Sequence, residues 1–100
     1  MPEVTIVYWR DIPAQVIVGR GRKGAKKQLQ ERFEQAIDRA AMKSGLAGTD
    51  DYLSEWRKVQ TDNIDGDAGS IANAEAERLE AEYTRERIKS LIENNGWAQR

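Results

Sequence analysis

The chain has 100 residues and a net charge of −1, with 33% charged residues and a mean hydropathy of −0.78. This size and composition predict one domain, over residues 1–100, with a thin core. The chain has no cysteine and no histidine, which excludes metal ligation by those side chains and any nucleophile activated by histidine, so we expect no catalytic residue, metal site or cofactor.

The first 18 residues have the composition of two short β-strands. Segments 4–9 and 15–18 are rich in β-branched and aromatic residues, and Pro13 stands in or beside the connection between them. Both faces of the first strand are apolar, so each face needs a cover. We therefore predict a β-hairpin over residues 4–18 with helices on one face, while the other face or an open edge meets a partner or a second copy of the chain.

An amphipathic helix is predicted over about residues 25–44. Its apolar stripe has helical spacing and consists of Leu29, Phe33, Ala36, Ile37 and Ala40. Gly45 follows the stripe, and a glycine in that position typically ends a helix.

Two more helices are predicted in the second half of the chain. One covers about residues 50–59 and begins after Thr49, which has the features of an N-cap. The other covers about residues 68–94, from a cap at Asp67 to the Asn95-Gly96 pair, and serves either as a packing layer or as a docking helix. The fold class is thus α+β, an N-terminal β-hairpin packed with two or three α-helices.

The segment between the hairpin and the first predicted helix is strongly basic. Five cations and no acidic residue occur within residues 19–27, namely Arg20, Arg22, Lys23, Lys26 and Lys27. A helix N-terminus attracts anions, Arg10 adds a further cation, and Trp9 or Trp56 offers a stacking surface. Three interpretations stay open at this point: a solvated segment, a surface for an acidic protein, and a site for nucleic acid or another phosphate ligand.

Gly19, Gly21 and Gly24 match the spacing of a dinucleotide-binding motif after a predicted strand. The motif also requires a following parallel strand that ends in an acidic residue, whereas Asp38 falls inside a predicted helix. We therefore do not assign a dinucleotide site.

Charge is unevenly distributed along the chain. Residues 1–60 contain 11 basic and 8 acidic residues, whereas residues 61–100 contain 5 basic and 9 acidic residues. Such a chain either balances its charges internally or presents a basic and an acidic surface to different partners. A secretory signal and a membrane-spanning run are not apparent, so we expect a cytoplasmic protein without a membrane contact.

Several ordered segments resemble the bacterial "virulence factor" domain family, which also occurs at the C-terminus of conserved virulence factor C proteins. The matching segments are residues 9–16, 21–22, 32–33, 36–42, 45 and 52–57. The family name describes a phenotype and implies no reaction, cofactor or catalytic residue. Stand-alone members are often encoded near folate- and corrinoid-dependent methyl-transfer enzymes, so the resemblance implies an accessory or adaptor role.

We therefore expect a non-catalytic interaction or adaptor module, accessory to folate/corrinoid methyl-transfer metabolism, that binds a protein partner or forms a homodimer. The predicted partner- or anion-binding residues are Trp9, Arg10, Arg20, Arg22, Lys23, Lys26 and Lys27. The alternative is phosphate-ligand or nucleic-acid binding through the basic glycine-rich segment 19–27. A third hypothesis is an enzyme subunit that contributes to a shared active site in one-carbon metabolism.

Overall fold

The predicted hairpin forms the centre of a sheet. In the computed structural model, which describes residues 3–19, 24–63 and 66–98, β1 (Glu3–Trp9) and β2 (Ile12–Val18) are antiparallel. A β-bulge shifts their register between Val7 and Tyr8, and Pro13 of β2 lies opposite this bulge. A β-bulge is one of the positions at which a strand tolerates proline. The α+β class and the N-terminal hairpin are therefore confirmed.

Two strands that the sequence did not predict complete this sheet. β3 (Ala25–Gln28) pairs with β2, and β4 (Trp56–Asn63) pairs with β1, so the strand order is β3-β2-β1-β4 and all neighbours are antiparallel. The helices predicted over residues 25–44 and 50–59 are consequently shorter than expected. The reason is that both segments gain backbone hydrogen bonds from an edge of the hairpin, and this pairing outweighs their local helical pattern.

The first helix begins later than predicted and the second ends earlier, but the predicted glycine after the first and the predicted N-cap of the second are both observed. α1 (Glu31–Lys43) buries four residues of the predicted stripe, from Phe33 to Ala40, whereas Leu29 is buried but lies before the helix. Gly45 follows α1 in the left-handed conformation with φ +78°. α2 (Asp50–Ser54) is capped by Thr49, whose side chain accepts a hydrogen bond from the backbone N–H of Tyr52.

The helix predicted over residues 68–94 is two helices. α3 (Ala68–Glu82) begins after the predicted cap Asp67, which accepts a hydrogen bond from the N–H of Ser70. The chain leaves helical geometry at Tyr83, and α4 (Arg85–Glu93) restarts with Thr84 as its own N-cap. This break explains why the apolar stripe of the sequence drifts after Tyr83. Ile88 and Leu91 are buried by a separate helix and do not continue the stripe of α3.

The core lies between one face of the sheet and the helices. Val4, Ile6, Val16 and Val18 project from that face and are buried, and α3 packs against β2 and β3. α1 contacts both β2 and α4, so it joins the sheet to the last helix. None of the helices in the described part of the chain is long and apolar enough to cross a membrane.

Arg32 connects the start of α1 to the end of α3. Its guanidinium donates hydrogen bonds to the backbone carbonyls of Tyr83 and Glu80, at 2.7 and 2.6 Å, and to the side-chain oxygen of Gln30 at 2.9 Å. These carbonyls belong to the last turn of α3, where a helix has no partner of its own for them. Arg32 therefore stabilises the break between the two C-terminal helices.

Tyr83 at this junction and the nearby Tyr8 are expected to make the stability of the protein sensitive to alkaline pH. Burial raises the pKa of Tyr8 and of Tyr83 above the ordinary 10.0, and the nearby Tyr8 raises that of Tyr83 further. The neutral hydroxyls are thus favoured by folding, so their contribution is fully present below about pH 10 and is lost as the pH rises through the folded-state pKa values. We expect the free energy of unfolding in urea to fall steadily above about pH 10.

The double variant Tyr8→Phe/Tyr83→Phe is the control for this expectation. It has no hydroxyl to ionise at either position, so its stability should depend less on alkaline pH than that of the wild type. Equal slopes for the two proteins between about pH 9 and 11 would contradict the assignment.

Candidate functional site

The face of the sheet opposite α3 is only partly covered. Directly paired residues of neighbouring strands project to the same face, and two rows of such pairs cross all four strands. One row contains Lys26, Ile17, Thr5 and Gln60, and the other contains Gln28, Gln15, Val7 and Lys58. All eight residues are half-buried or exposed. We call these eight residues the outer face.

The outer face combines an apolar centre with cationic margins. Val7 and Ile17 lie on the two central strands and are half-buried, whereas Lys26 and Lys58 lie on the two edge strands and are exposed. Glu3 lies on the same side of β1, at the far end of the strand. The eight residues of the outer face are therefore all basic or neutral, and Glu3 lies just beyond them.

An acidic pocket adjoins one end of the outer face. A cavity of about 170 Å³ lies between α1 and the ends of the strands, and its lining includes Glu34, Asp38, Tyr52 and Trp56. Partial burial raises the pKa of the Tyr52 hydroxyl, and the charges of Asp38 and then Glu34 raise it further. The potential along this side of the protein therefore changes from positive at the lysines to negative at the pocket.

Trp9, predicted as a stacking surface, is completely buried. Its indole N–H donates a hydrogen bond to the carbonyl of Tyr52 at 3.0 Å, and the centres of the two rings are 5.6 Å apart. A ring at 0% exposure has no free face for a base or a partner side chain. Trp9 instead anchors the end of the hairpin to α2.

Arg10, predicted as an additional cation of the site, contacts other parts of its own chain. Its guanidinium carbon lies 5.0 Å from the ring centres of both Trp9 and Trp97, and Nη1 donates to the carbonyl of Asn95 at 2.7 Å. Nε lies 3.5 Å from a carboxylate oxygen of Glu55, and the side chain is 11% exposed. These contacts connect the hairpin turn to the turn after α4 and give Arg10 a structural role.

The structure separates the two lysines of the predicted basic cluster that it describes. Lys26 pairs with Ile17 and belongs to the outer face, whereas Lys27 pairs with Val16 and projects to the other side of β3. There Lys27 lines a shallow cavity together with Glu77 and Glu80 of α3. The predicted residues Arg20, Arg22 and Lys23 lie outside the described residues.

Lys58 is a candidate that the sequence analysis missed. The segment around it was predicted to be helical, and a helix would not have aligned Lys58 with Val7. The alternation of Trp56, Lys58 and Gln60 along one side of a strand is the signal that favours the observed arrangement.

The described side chains include no group of three or more acidic residues arranged to hold a metal ion. Residues 7–92 match the protein-family model described as "Virulence factor". The match extends from β1 to α4 and so includes the whole outer face except Thr5. Neither the curated proteins nor the solved structures contain a match to the chain.

Proposed function

The chain belongs to the virulence factor family, and from that premise we propose that it is a non-catalytic interaction module that binds a partner protein through the outer face. The observation that supports this proposal most directly is the half-exposed pair Val7 and Ile17 between Lys26 and Lys58. An apolar centre within a polar rim is the usual composition of a protein–protein contact.

The charges on the outer face indicate what kind of partner surface is complementary. Lys26 and Lys58 lie at opposite margins of the sheet, on β3 and β4. A partner that places an apolar patch over Val7 and Ile17 and carboxylates on both sides of that patch would match both features. Complementary charge of this kind raises association rates and selects among partners more than it adds affinity.

An accessory role gives the proposal a first set of partners to test. The family resemblance associates stand-alone members with folate- and corrinoid-dependent methyl-transfer enzymes. We propose that one such enzyme, or a protein that assembles with it, contacts the outer face.

Pull-down from extracts of the native organism, followed by calorimetry with the purified partner, tests the proposal. We expect Lys26→Glu/Lys58→Glu to weaken the affinity by about tenfold or more, because it places like charges against the partner's carboxylates. Val7→Thr/Ile17→Thr keeps strand-compatible side chains and should weaken it through loss of apolar contact.

Lys43→Glu is the matched control, because Lys43 is an exposed cation in the last turn of α1, away from the outer face. It should leave the affinity unchanged. Recovery of no specific partner, or equal affinities for the wild type and Lys26→Glu/Lys58→Glu, would contradict the proposal.

Phosphate-ligand or nucleic-acid binding through residues 19–27 is the alternative, and the exposure of Lys26 and Lys27 supports it. Surfaces that bind single strands generally add aromatic rings on which bases stack, whereas the two rows of the outer face contain aliphatic and polar side chains. Trp56, next to Lys58 on the same side of β4, is half-buried and packs edge-on against Tyr52. Oligonucleotide binding that falls steeply with salt and is lost in Lys26→Glu/Lys27→Glu would favour this alternative. Stimulation of a methyl-transfer enzyme by the added protein would instead favour a shared active site.

A further inference from the structure

A second candidate surface lies between α1 and α4, and it shares no residue with the outer face. These two helices enclose an open groove of about 450 Å³. Four cationic side chains and no carboxylate line it, namely Arg32, Arg39, Arg85 and Lys89. This cluster is hard to recognise in the sequence, because its members come from two segments that are about 50 positions apart.

The cations form two banks along the groove. Arg32 and Arg39 lie on α1 and are seven positions apart, which corresponds to about 10 Å along a helix axis. Arg85 and Lys89 lie on α4, one turn apart, on the other side of the groove. An occupant of the groove is therefore exposed to positive charge from both sides.

Most of these cations have no partner within the described part of the chain. Arg32 donates to the end of α3, but Arg39, Arg85 and Lys89 form no ion pair or side-chain hydrogen bond there. Arg87, which is also on α4, lies 3.2 Å from a carboxylate oxygen of Glu82. The described part of the chain therefore pairs a neighbouring cation with a carboxylate while leaving three of the four cations of the groove available.

The floor of the groove is apolar. Ala36 and Ile88 are buried, and Ile92 is half-buried at the next turn of α4. Ile88 and Ile92 are four positions apart and so form a short stripe on one face of the helix. An apolar stripe between two basic banks is complementary to an apolar stripe flanked by acidic residues.

We propose that this groove binds an amphipathic, acidic helix of a partner protein. The apolar side chains of that helix contact Ile88 and Ile92, and its carboxylates on either side of the stripe pair with Arg39 on one bank and with Arg85 and Lys89 on the other. Recognition of this kind uses anchors at helical spacing in a preformed groove. With the outer face, the groove gives the domain two separate binding surfaces.

In a second copy of the same chain, α3, the longest helix of the described residues, does not meet this requirement. The exposed side of α3 carries Glu77 and Glu82, but Glu82 already pairs with Arg78 and Arg87. The apolar residues of α3, including Ile71 and Leu79, are buried in their own core. A single small anion is also less suited than a helix, because it would contact one bank and leave the apolar floor exposed.

A labelled synthetic peptide of about 16 residues tests the proposal, with leucines at helical spacing and glutamates on both sides of them. We expect saturable binding by fluorescence anisotropy. A scrambled peptide of the same composition should bind at least about tenfold more weakly, because it has no apolar stripe. Amide NMR shifts on binding should concentrate in α1 and α4.

The variants locate the binding. Arg39→Glu/Arg85→Glu/Lys89→Glu should weaken the peptide affinity by about tenfold or more, whereas Lys26→Glu/Lys58→Glu, whose residues lie on the outer face, should leave it unchanged. Arg39→Gln/Arg85→Gln/Lys89→Gln, which introduces no new charge, provides the same comparison if the triple glutamate variant does not fold. Lys26→Glu/Lys58→Glu changes only the outer face, and the groove variants change only the groove. Comparing their affinities for the peptide and for the partner protein therefore separates failure of this proposal from failure of the proposed function.

Three outcomes would overturn the proposal. One is equal binding of the scrambled peptide, which would indicate attraction by charge alone. Another is unchanged affinity in the triple glutamine variant. The third is binding of a simple carboxylate with an apolar tail, such as laurate, with shifts in the groove while the helical peptide does not bind, which would identify a small-anion site.

Discussion

Trp9→Ala is expected to remove a large part of the stability of the protein. Trp9 is fully buried, contacts the ring of Tyr52, donates a hydrogen bond to the carbonyl of the same residue and provides one of the two rings around Arg10. Truncation of a buried tryptophan costs about 3–5 kcal/mol, while the total stability of a small domain is about 5–15 kcal/mol. We therefore expect the free energy of unfolding to fall by about 3–5 kcal/mol, a large part of the total.

Urea denaturation followed by far-UV circular dichroism measures this loss. Met42→Ala is the control, because Met42 is 63% exposed on α1 and alanine favours a helix. Its stability should stay within about 0.5 kcal/mol of the wild type. A loss below about 1 kcal/mol for Trp9→Ala would show that Trp9 does not anchor the hairpin in the way described.

Gly96→Ala should destabilise the protein by about 3 kcal/mol. Gly96 has φ +94°, a conformation that side chains of L-residues rarely adopt, and a Cβ atom there would lie 2.9 Å from Cζ3 of Trp9 and 3.2 Å from Cδ of Arg10. Trp9 is fully enclosed and cannot move away without opening the core. Backbone strain and overpacking therefore add at this position.

Gly45→Ala separates these two contributions. Gly45 has a similar positive φ, +78°, but a Cβ atom at this position would meet nothing within 4 Å. We expect it to lose only the strain component, about 1 kcal/mol. Equal losses for the two variants in urea unfolding would mean that the close approach of Gly96 to Trp9 has no energetic effect.

The sequence predicted those elements whose signals are local. β-branched and aromatic residues identified the hairpin, the spacing from Phe33 to Ala40 identified α1, and Thr49 and Asp67 were recognised as caps. Each of these signals depends on residues within a few positions of each other. Tertiary contacts did not overturn them.

The elements that the sequence missed depend on distant pairing. Segment 25–28 has no strand-like composition and is a strand because the edge of β2 is available to it. Segment 56–63 joins β1 although Trp56 and Val59 also fit a helical stripe. Threonine is a common N-cap residue, but the sequence alone does not show that the helix ends at Tyr83. The capping role of Thr84 is therefore visible only in the structure.

The candidate site shows the same division between local and distant information. The exposure of Lys26 followed from a basic, glycine-rich segment, whereas the place of Lys58 beside Val7 required the register of β4. Trp9 and Arg10 were predicted to face a ligand because aromatic and cationic side chains often do. Their actual neighbours, Tyr52 and Trp97, are more than 40 positions away.

The turn after α4, at residues 95–98, packs against the end of the hairpin, and this contact affects the order in which the domain folds during synthesis. Asp11 donates its backbone N–H to the carbonyl of Gly96 at 2.8 Å and accepts the N–H of Ala98 on its carboxylate at 2.7 Å. The hairpin precedes these residues in the chain, so Trp9 is enclosed only when nearly all later residues of the domain are in place. We infer that this domain completes folding only after residue 98 has been synthesised, and that a chain truncated before this turn leaves the end of the hairpin uncovered.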